Sequence, residues 1–96
     1  MTVYVDDFSC PARVGRLSAR WSHLTADTPA ELHTFAARLG LRRDWYQDRG
    51  DGRWHYDVTD SKRELAIRLG AVPVTCRRLG EIIRARRDGE GADRAR

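Results

Sequence analysis

His55 and Asp57 stand two residues apart in Trp54-His55-Tyr56-Asp57-Val58, a run whose other members are aromatic or β-branched. In a strand, residues i and i+2 project from one face, so this spacing predicts an imidazole and a carboxylate side by side. Such a pair can act as a general acid–base unit or supply two ligands to a metal ion; the bland alternative is a solvated strand face. His23 is a second imidazole. It follows Leu17, Ala19 and Trp21 on alternate positions, with Ser18, Arg20 and Ser22 between them, and so reads as the end of an apolar strand face. A histidine there is commonly a packed core residue. His55, Asp57 and His23 are the candidate catalytic residues.

Two further groups could serve them. Asp6 and Asp7 close the strand-like run Thr2–Asp6, and an acid at a strand end suits a Mg²⁺ ligand, because that ion takes carboxylate oxygens plus water. Asp27 precedes a helix and suits a helix cap as well as a ligand. Asp6 and Asp27 are the candidate metal residues, and a divalent ion such as Mg²⁺ is the cofactor they admit. Ser61, Lys62 and Arg63 open a helix, with Ser61 and Glu64 spaced as a capping box. Free N–H groups and the helix dipole favour an anion there, which makes these three the candidate phosphate-binding residues. Solvated basic side chains around a cap are the plain alternative. The His55–Asp57 pair adjoins this cradle in sequence. No Walker loop, nucleophile elbow or HExxH motif is present.

The elements that must position these groups read as β-β-α-(β-hairpin)-α-β-α. Phe8–Arg16, with Pro11 and Gly15, reads as a loop and Leu17–His23 as the second strand. Asp27 or Thr28 opens a helix with Pro29 in its first turn. Leu32, Phe35, Ala36 and Leu39 give that helix one buried stripe, and Gly40 ends it. Trp45-Tyr46-Gln47 and Arg53–Val58 flank a Gly-rich turn and read as a β-hairpin, with Trp54, Tyr56 and Val58 on the face opposite His55 and Asp57. The helix from Ser61 carries Leu65, Ala66 and Leu69. Ala71–Val74 reads as an edge strand because of Pro73. Thr75 caps a third helix with Cys76, Leu79, Ile82 and Ile83 on its stripe. The expected fold is mixed α/β, a small mixed sheet with a β-hairpin covered by about three helices. One globular domain is expected over 1–87, with a polar tail lacking order over 88–96.

Composition narrows the partners. Apolar residues make up 41% and charged residues 33%, the balance of a globular chain rather than a disordered one. No apolar run approaches the roughly 18–20 residues of a membrane span, and the start has no signal-peptide pattern. Cys10 and Cys76 form no C-x-x-C motif, so the expectation is a reducing cytoplasm without a disulfide framework. The net charge is +4, and the whole excess lies in residues 49–96, where twelve cations face eight acids. That tilt admits a nucleotide or nucleic acid as partner. Two other readings stand beside it. Residues 62–84 have helix-turn-helix spacing at Ala66, Gly70, Cys76 and Leu79, which would place Arg77 and Arg78 on DNA, although Val72 and Val74 suit a strand better than a turn. An adaptor module is the other reading, forming a homodimer or holding a protein partner through an apolar patch from Trp21, Trp45 or Trp54.

Val3-Tyr4-Val5-Asp6-Asp7, His23, Ala26-Asp27-Thr28, Glu31-Leu32-His33, Trp45-Tyr46-Gln47, His55-Tyr56-Asp57, Ser61-Lys62-Arg63 and Gly70-Ala71 together resemble, in order over roughly residues 2–75, a family of small bacterial and phage proteins. That family is catalogued only as a domain of unknown function (DUF4031). The resemblance implies a stand-alone intracellular domain in which Asp6, His23, Asp27, Gln47, His55, Asp57, Lys62 and Arg63 belong to a shared pattern. It brings no activity with it. The chain departs from the family in a longer first loop, Ser9–Leu17.

Overall fold

The computed structural model describes the backbone of residues 2–94 and the side chains of residues 2–89. Nine elements follow one another: β1 (Val3–Val5), β2 (Cys10–Val14), β3 (Leu17–Ala26), α1 (Pro29–Arg38), a 3₁₀ turn (Arg43–Trp45), β4 (Tyr56–Thr59), α2 (Asp60–Arg68), β5 (Val72–Pro73) and α3 (Cys76–Arg94). The five strands make one mixed sheet, so the expected α/β class holds.

β3 organises the sheet. Leu24 pairs with both Val5 and Tyr56, and Trp21 with both Cys10 and Thr59. β1 and β2 therefore share one edge of β3 and β4 takes the other. β5 then pairs parallel with β1, Tyr4 opposite Val72. Between Val5↔Leu24 and Cys10↔Trp21, the four residues 6–9 stand against only Ser22 and His23. This is an enlarged bulge, a device that breaks pairing and re-aims side chains. Ser9 takes the left-handed conformation there, φ 46°, and its N–H donates to Ser22 Oγ at 3.0 Å.

The core lies on one face of the sheet. Val3, Val5, Leu24, Ala26, Trp54, Tyr56 and Val58 are buried there with Leu32, Phe35, Ala36 and Leu39 of α1 and Ala66 of α2. The periodic stripe read for α1 is thus the stripe that packs. Thr28 Oγ1 caps α1 by accepting from Glu31 N, and Pro29 is the first helical residue. Gly40 terminates the helix with φ +79°, a conformation that disfavours a Cβ. α3 crosses the opposite face, where Leu79 is buried. Arg86 anchors it by donating to Thr25 Oγ1, Ala26 O and Gly52 O, with its guanidinium 3.5 Å from the centre of the Trp54 ring.

Several expectations are corrected. The stretch read as a loop contains β2, which forms a hairpin with β3 through the two-residue turn Gly15-Arg16. Sequence alone favours a loop because Pro11 and Gly15 break the alternation; the partner strand β3 overrides them. The hairpin expected around residues 45–58 shrinks to one bridge, Gln47↔His55, because Arg43–Trp45 closes into a 3₁₀ turn. In β3 Leu24 and Ala26 belong to the core, so His23, like the buried Thr25, lies on the opposite face. Thr59, not Ser61, caps α2, accepting from Lys62 N. The segment between α2 and α3 enters the sheet as β5, as Val72 and Val74 suggested, so no short turn joins the two helices as a helix-turn-helix requires. The backbone of α3 is helical to Arg94; of the expected tail 88–96, residues 95–96 lie outside the described residues. No helix among the described residues is long and apolar enough to cross a membrane.

Candidate functional site

The sheet face turned away from the core and the helix α3 enclose a cleft of about 460 Å³. His23 and Asp57 line it from β3 and β4, Asp6 from the bulge after β1, and Gln47, Arg49, Asp51, Arg53 and His55 from the segment before β4. Cys76, Leu79, Gly80 and Ile83 line it from α3. Four of the predicted site residues thus converge from three separate stretches of chain. Register explains the convergence. His23 is the direct partner of Asp57 across β3 and β4, and the bulge carries Asp6 alongside His23.

Asp6 is fully buried and fully engaged. Its Oδ2 accepts from His23 Nδ1 at 2.7 Å, while its Oδ1 accepts from the His23 and Phe8 N–H groups at 2.8 and 3.2 Å. Burial pushes its pKa up, but the His23 side-chain and backbone hydrogen bonds outweigh that, and the net shift is downward. Asp6 is therefore a carboxylate that fixes the His23 ring with Nδ1 as donor, leaving Nε2 as the unused nitrogen. The neighbouring Asp7 acts elsewhere. Its Oδ1 accepts from Cys76 N at 2.8 Å, at the N-terminus of α3, where a negative charge complements the helix dipole.

His55 is held in the same manner by a different acceptor. Its Nδ1 donates to Arg53 O at 2.7 Å, and its Nε2 faces Asp57 Oδ1 across 3.3 Å. Burial pulls the His55 pKa down, but Asp57, the Arg53 carbonyl and the charge on Asp6 together raise it above its ordinary value. Asp57 is shifted the other way: burial raises it, while hydrogen bonds from His55 and Gln47 bring it below the usual carboxylate range. Gln47 Nε2 donates to Asp57 Oδ2 at 2.6 Å, which leaves Oδ1 to the cleft. The His23 and His55 rings meet edge to face with centroids 5.1 Å apart, and Phe8 lies tilted by 33° against His23 with centroids 5.0 Å apart. His23, His55 and Asp57 each present one donor atom within 4.8 Å of the other two, and so do Asp6, His23 and Cys76. Cys76 is the weaker contributor, because burial and the charges of Asp6 and Asp7 raise its thiol pKa and keep it protonated.

The remaining predicted residues lie elsewhere. Asp27 lies four residues beyond His23, just past the end of β3, about 13 Å away at strand spacing, where it accepts from Thr2 N and the Tyr4 hydroxyl. Ser61 Oγ meets Thr59 Oγ1. Lys62 Nζ donates to Leu39 O at 2.7 Å, closing the C-terminus of α1. Arg63 Nε donates to Asp6 O at 2.7 Å, so it supports the bulge from behind, and none of the three lines the cleft. The residue patterns themselves gave no role to Gln47, Arg49, Arg53 or Cys76. Gln47 had a usable signal, since it lies across the Gly-rich turn from His55. Cys76 had none, being brought in only by β5 and α3.

Comparison with known proteins agrees with the pattern of residues. No curated protein and no solved structure matches the chain. The family described as Protein of unknown function (DUF4031) matches residues 3–86 of the 96, a span that takes in every residue of the cleft. This chain belongs to the DUF4031 family.

Proposed function

We propose that the cleft binds the phosphate of a nucleotide or nucleic acid and activates water against it. The observation that carries this reading is the convergence of Asp6, His23, His55 and Asp57 on one cleft with Arg49 and Arg53 at its rim. The arginines are the gripping end, since a guanidinium fork matches phosphate oxygens. The His/Asp cluster is the reactive end. Its imidazole and carboxylate lone pairs are the groups able to activate a water, directly or through a bound cation. In the reaction, water oxygen attacks phosphorus, the bond from phosphorus to the leaving oxygen breaks, and that oxygen takes up the proton the water gives up. Phe8, 49% exposed and tilted against the His23 ring, offers an aromatic surface next to the cluster that suits a base.

The test is a thermal-shift series with nucleotides and short oligonucleotides, since a ligand of the native state raises Tm by mass action. Wild type and His33→Gln, altered on the core side, should show the same shift. His55→Gln and the double variant Arg49→Ala/Arg53→Ala should lose it. A shift of undiminished size in both cleft variants defeats the proposal.

A second reading rests on the β2–β3 hairpin. Val14 and Leu17 at its tip are 58% and 51% exposed, and the outer edge of β2 has no partner strand among the described residues. These features support a non-catalytic module that docks a protein partner or a second copy. A concentration-dependent dimer that Val14→Lys abolishes, together with no ligand shift, would favour it.

A further inference from the structure

The geometry points to a resident transition-metal ion, of the Zn²⁺ class, held by His23 Nε2, His55 Nε2 and Asp57 Oδ1, with at least one coordination position open to the cleft.

Three observations carry this. First, the three residues present donor atoms within 4.8 Å of one another. His55 Nε2 and Asp57 Oδ1 stand 3.3 Å apart. That is long for a charge-assisted hydrogen bond, such as the 2.7 Å of His23 to Asp6. It matches the edge of a tetrahedron with metal–ligand bonds of about 2.0–2.1 Å, roughly 3.3 Å. Second, each of the three donors is fixed from behind by a different partner. Asp6 takes Nδ1–H of His23, Arg53 O takes Nδ1–H of His55, and Gln47 Nε2 holds Asp57 Oδ2. Metal-binding histidines characteristically give their second ring N–H to a carboxylate or a backbone carbonyl, and ligating carboxylates are in turn hydrogen-bonded. All three donors here have that support, and in each the remaining donor atom is the one left for the cleft. Third, two imidazoles and one carboxylate form a set that suits Zn²⁺, Co²⁺ or Fe²⁺ and not Mg²⁺, which wants oxygen ligands. Three protein ligands with an open position is the arrangement of reactive metal sites, whereas structural sites are closed by four.

The neighbouring set, Asp6, His23 and Cys76, competes less well. An ion there would displace the proton that joins Asp6 to His23 at 2.7 Å and would leave the buried carboxylate to reorganise its two backbone hydrogen bonds.

The experiment is a titration of metal-free full-length protein with Co²⁺, read by its visible absorption, followed by displacement with Zn²⁺. One ion per chain is expected. Asp57→Asn, nearly isosteric, and His55→Gln should lose the bands while keeping the far-ultraviolet circular dichroism of the wild type. Gln47→Leu should weaken binding roughly 10–100-fold, the usual effect of losing an outer partner, and Cys76→Ser should leave it unchanged. The inference is overturned if the wild type binds no stoichiometric ion, or if binding survives Asp57→Asn and disappears in Cys76→Ser. Because the probe is the metal alone, a failure of phosphate binding would not imitate either result.

Discussion

His33 and His55 lie on opposite sides of β4 and have opposite chemistry. His33, on α1, shares a hydrogen bond of 2.9 Å between its Nδ1 and the Tyr56 hydroxyl and packs edge-on against Tyr46 and Tyr56. Burial, and then the charge of Arg43, depress its pKa. His55 is also partly buried, yet Asp57, the Arg53 carbonyl and Asp6 raise its pKa. Burial and an arginine push His33 toward the neutral form; carboxylates and a carbonyl push His55 toward the protonated one. The residue type is the same on both sides, so the function comes from the neighbours.

The largest expected break in this comparison is in stability. Tyr56 is almost fully buried and touches His33, Tyr46 and the core. Tyr56→Ala should cost about 3–5 kcal/mol, the usual range for removing a buried aromatic ring, measured by urea unfolding. Asp57→Asn, on the other face, should cost less than about 1.5 kcal/mol while removing the ligand response. A reversed order would mean that the cleft side, not the core side, holds the fold.

Asp6 is the exception that sharpens the contrast, because it serves both. It accepts three hydrogen bonds while buried. Asp6→Asn should therefore cost about 2 kcal/mol, the range for hydrogen bonds to a charged group, and also weaken the cleft. Its folded pKa lies below the ordinary 3.8. The unfolded chain thus takes up this proton first, and the stabilisation is present above that value and lost as pH falls through the folded one. In acid denaturation, the variant should show a smaller loss below pH 3.8 than the wild type.

The smallest effect is one of sign, near the ordinary histidine value of 6.5. His33 is depressed, so its unfolded form binds the proton first and stability falls as pH drops below that value. His55 is raised, so its contribution is full below that value and is lost as pH rises through the folded pKa. In metal-free buffer, His33→Gln should flatten the acid side of a Tm-against-pH curve and His55→Gln the alkaline side. Both variants flattening the same side would remove the contrast.

Much of the framework was legible in the residues. The α1 stripe, Gly40, the Thr75 cap and the opposed faces of Trp54/Tyr56/Val58 and His55/Asp57 all follow from periodicity and cap chemistry, which are local. β2 was not legible, because Pro11 and Gly15 read as loop signals until β3 is alongside. The face of His23 was misread for a related reason. Trp21 and Leu17 make that side look apolar, but the core begins only at Ser22, where α1 and α2 come to cover the sheet.

The sequence by itself determined which residues could act and that His55 and Asp57 would stand together, since a strand's two-residue period is a covalent consequence of the chain. It also placed Asp6 at the end of a strand. Only the tertiary structure decided which of these meet. The β3–β4 register set His23 opposite Asp57, and the four-against-two bulge brought Asp6 to His23. The same packing sent Lys62 to Leu39 O and left Asp27 beyond the far end of β3. Register and bulge are fixed by which side chains the core can bury across strands distant in sequence, and no local pattern encodes that choice.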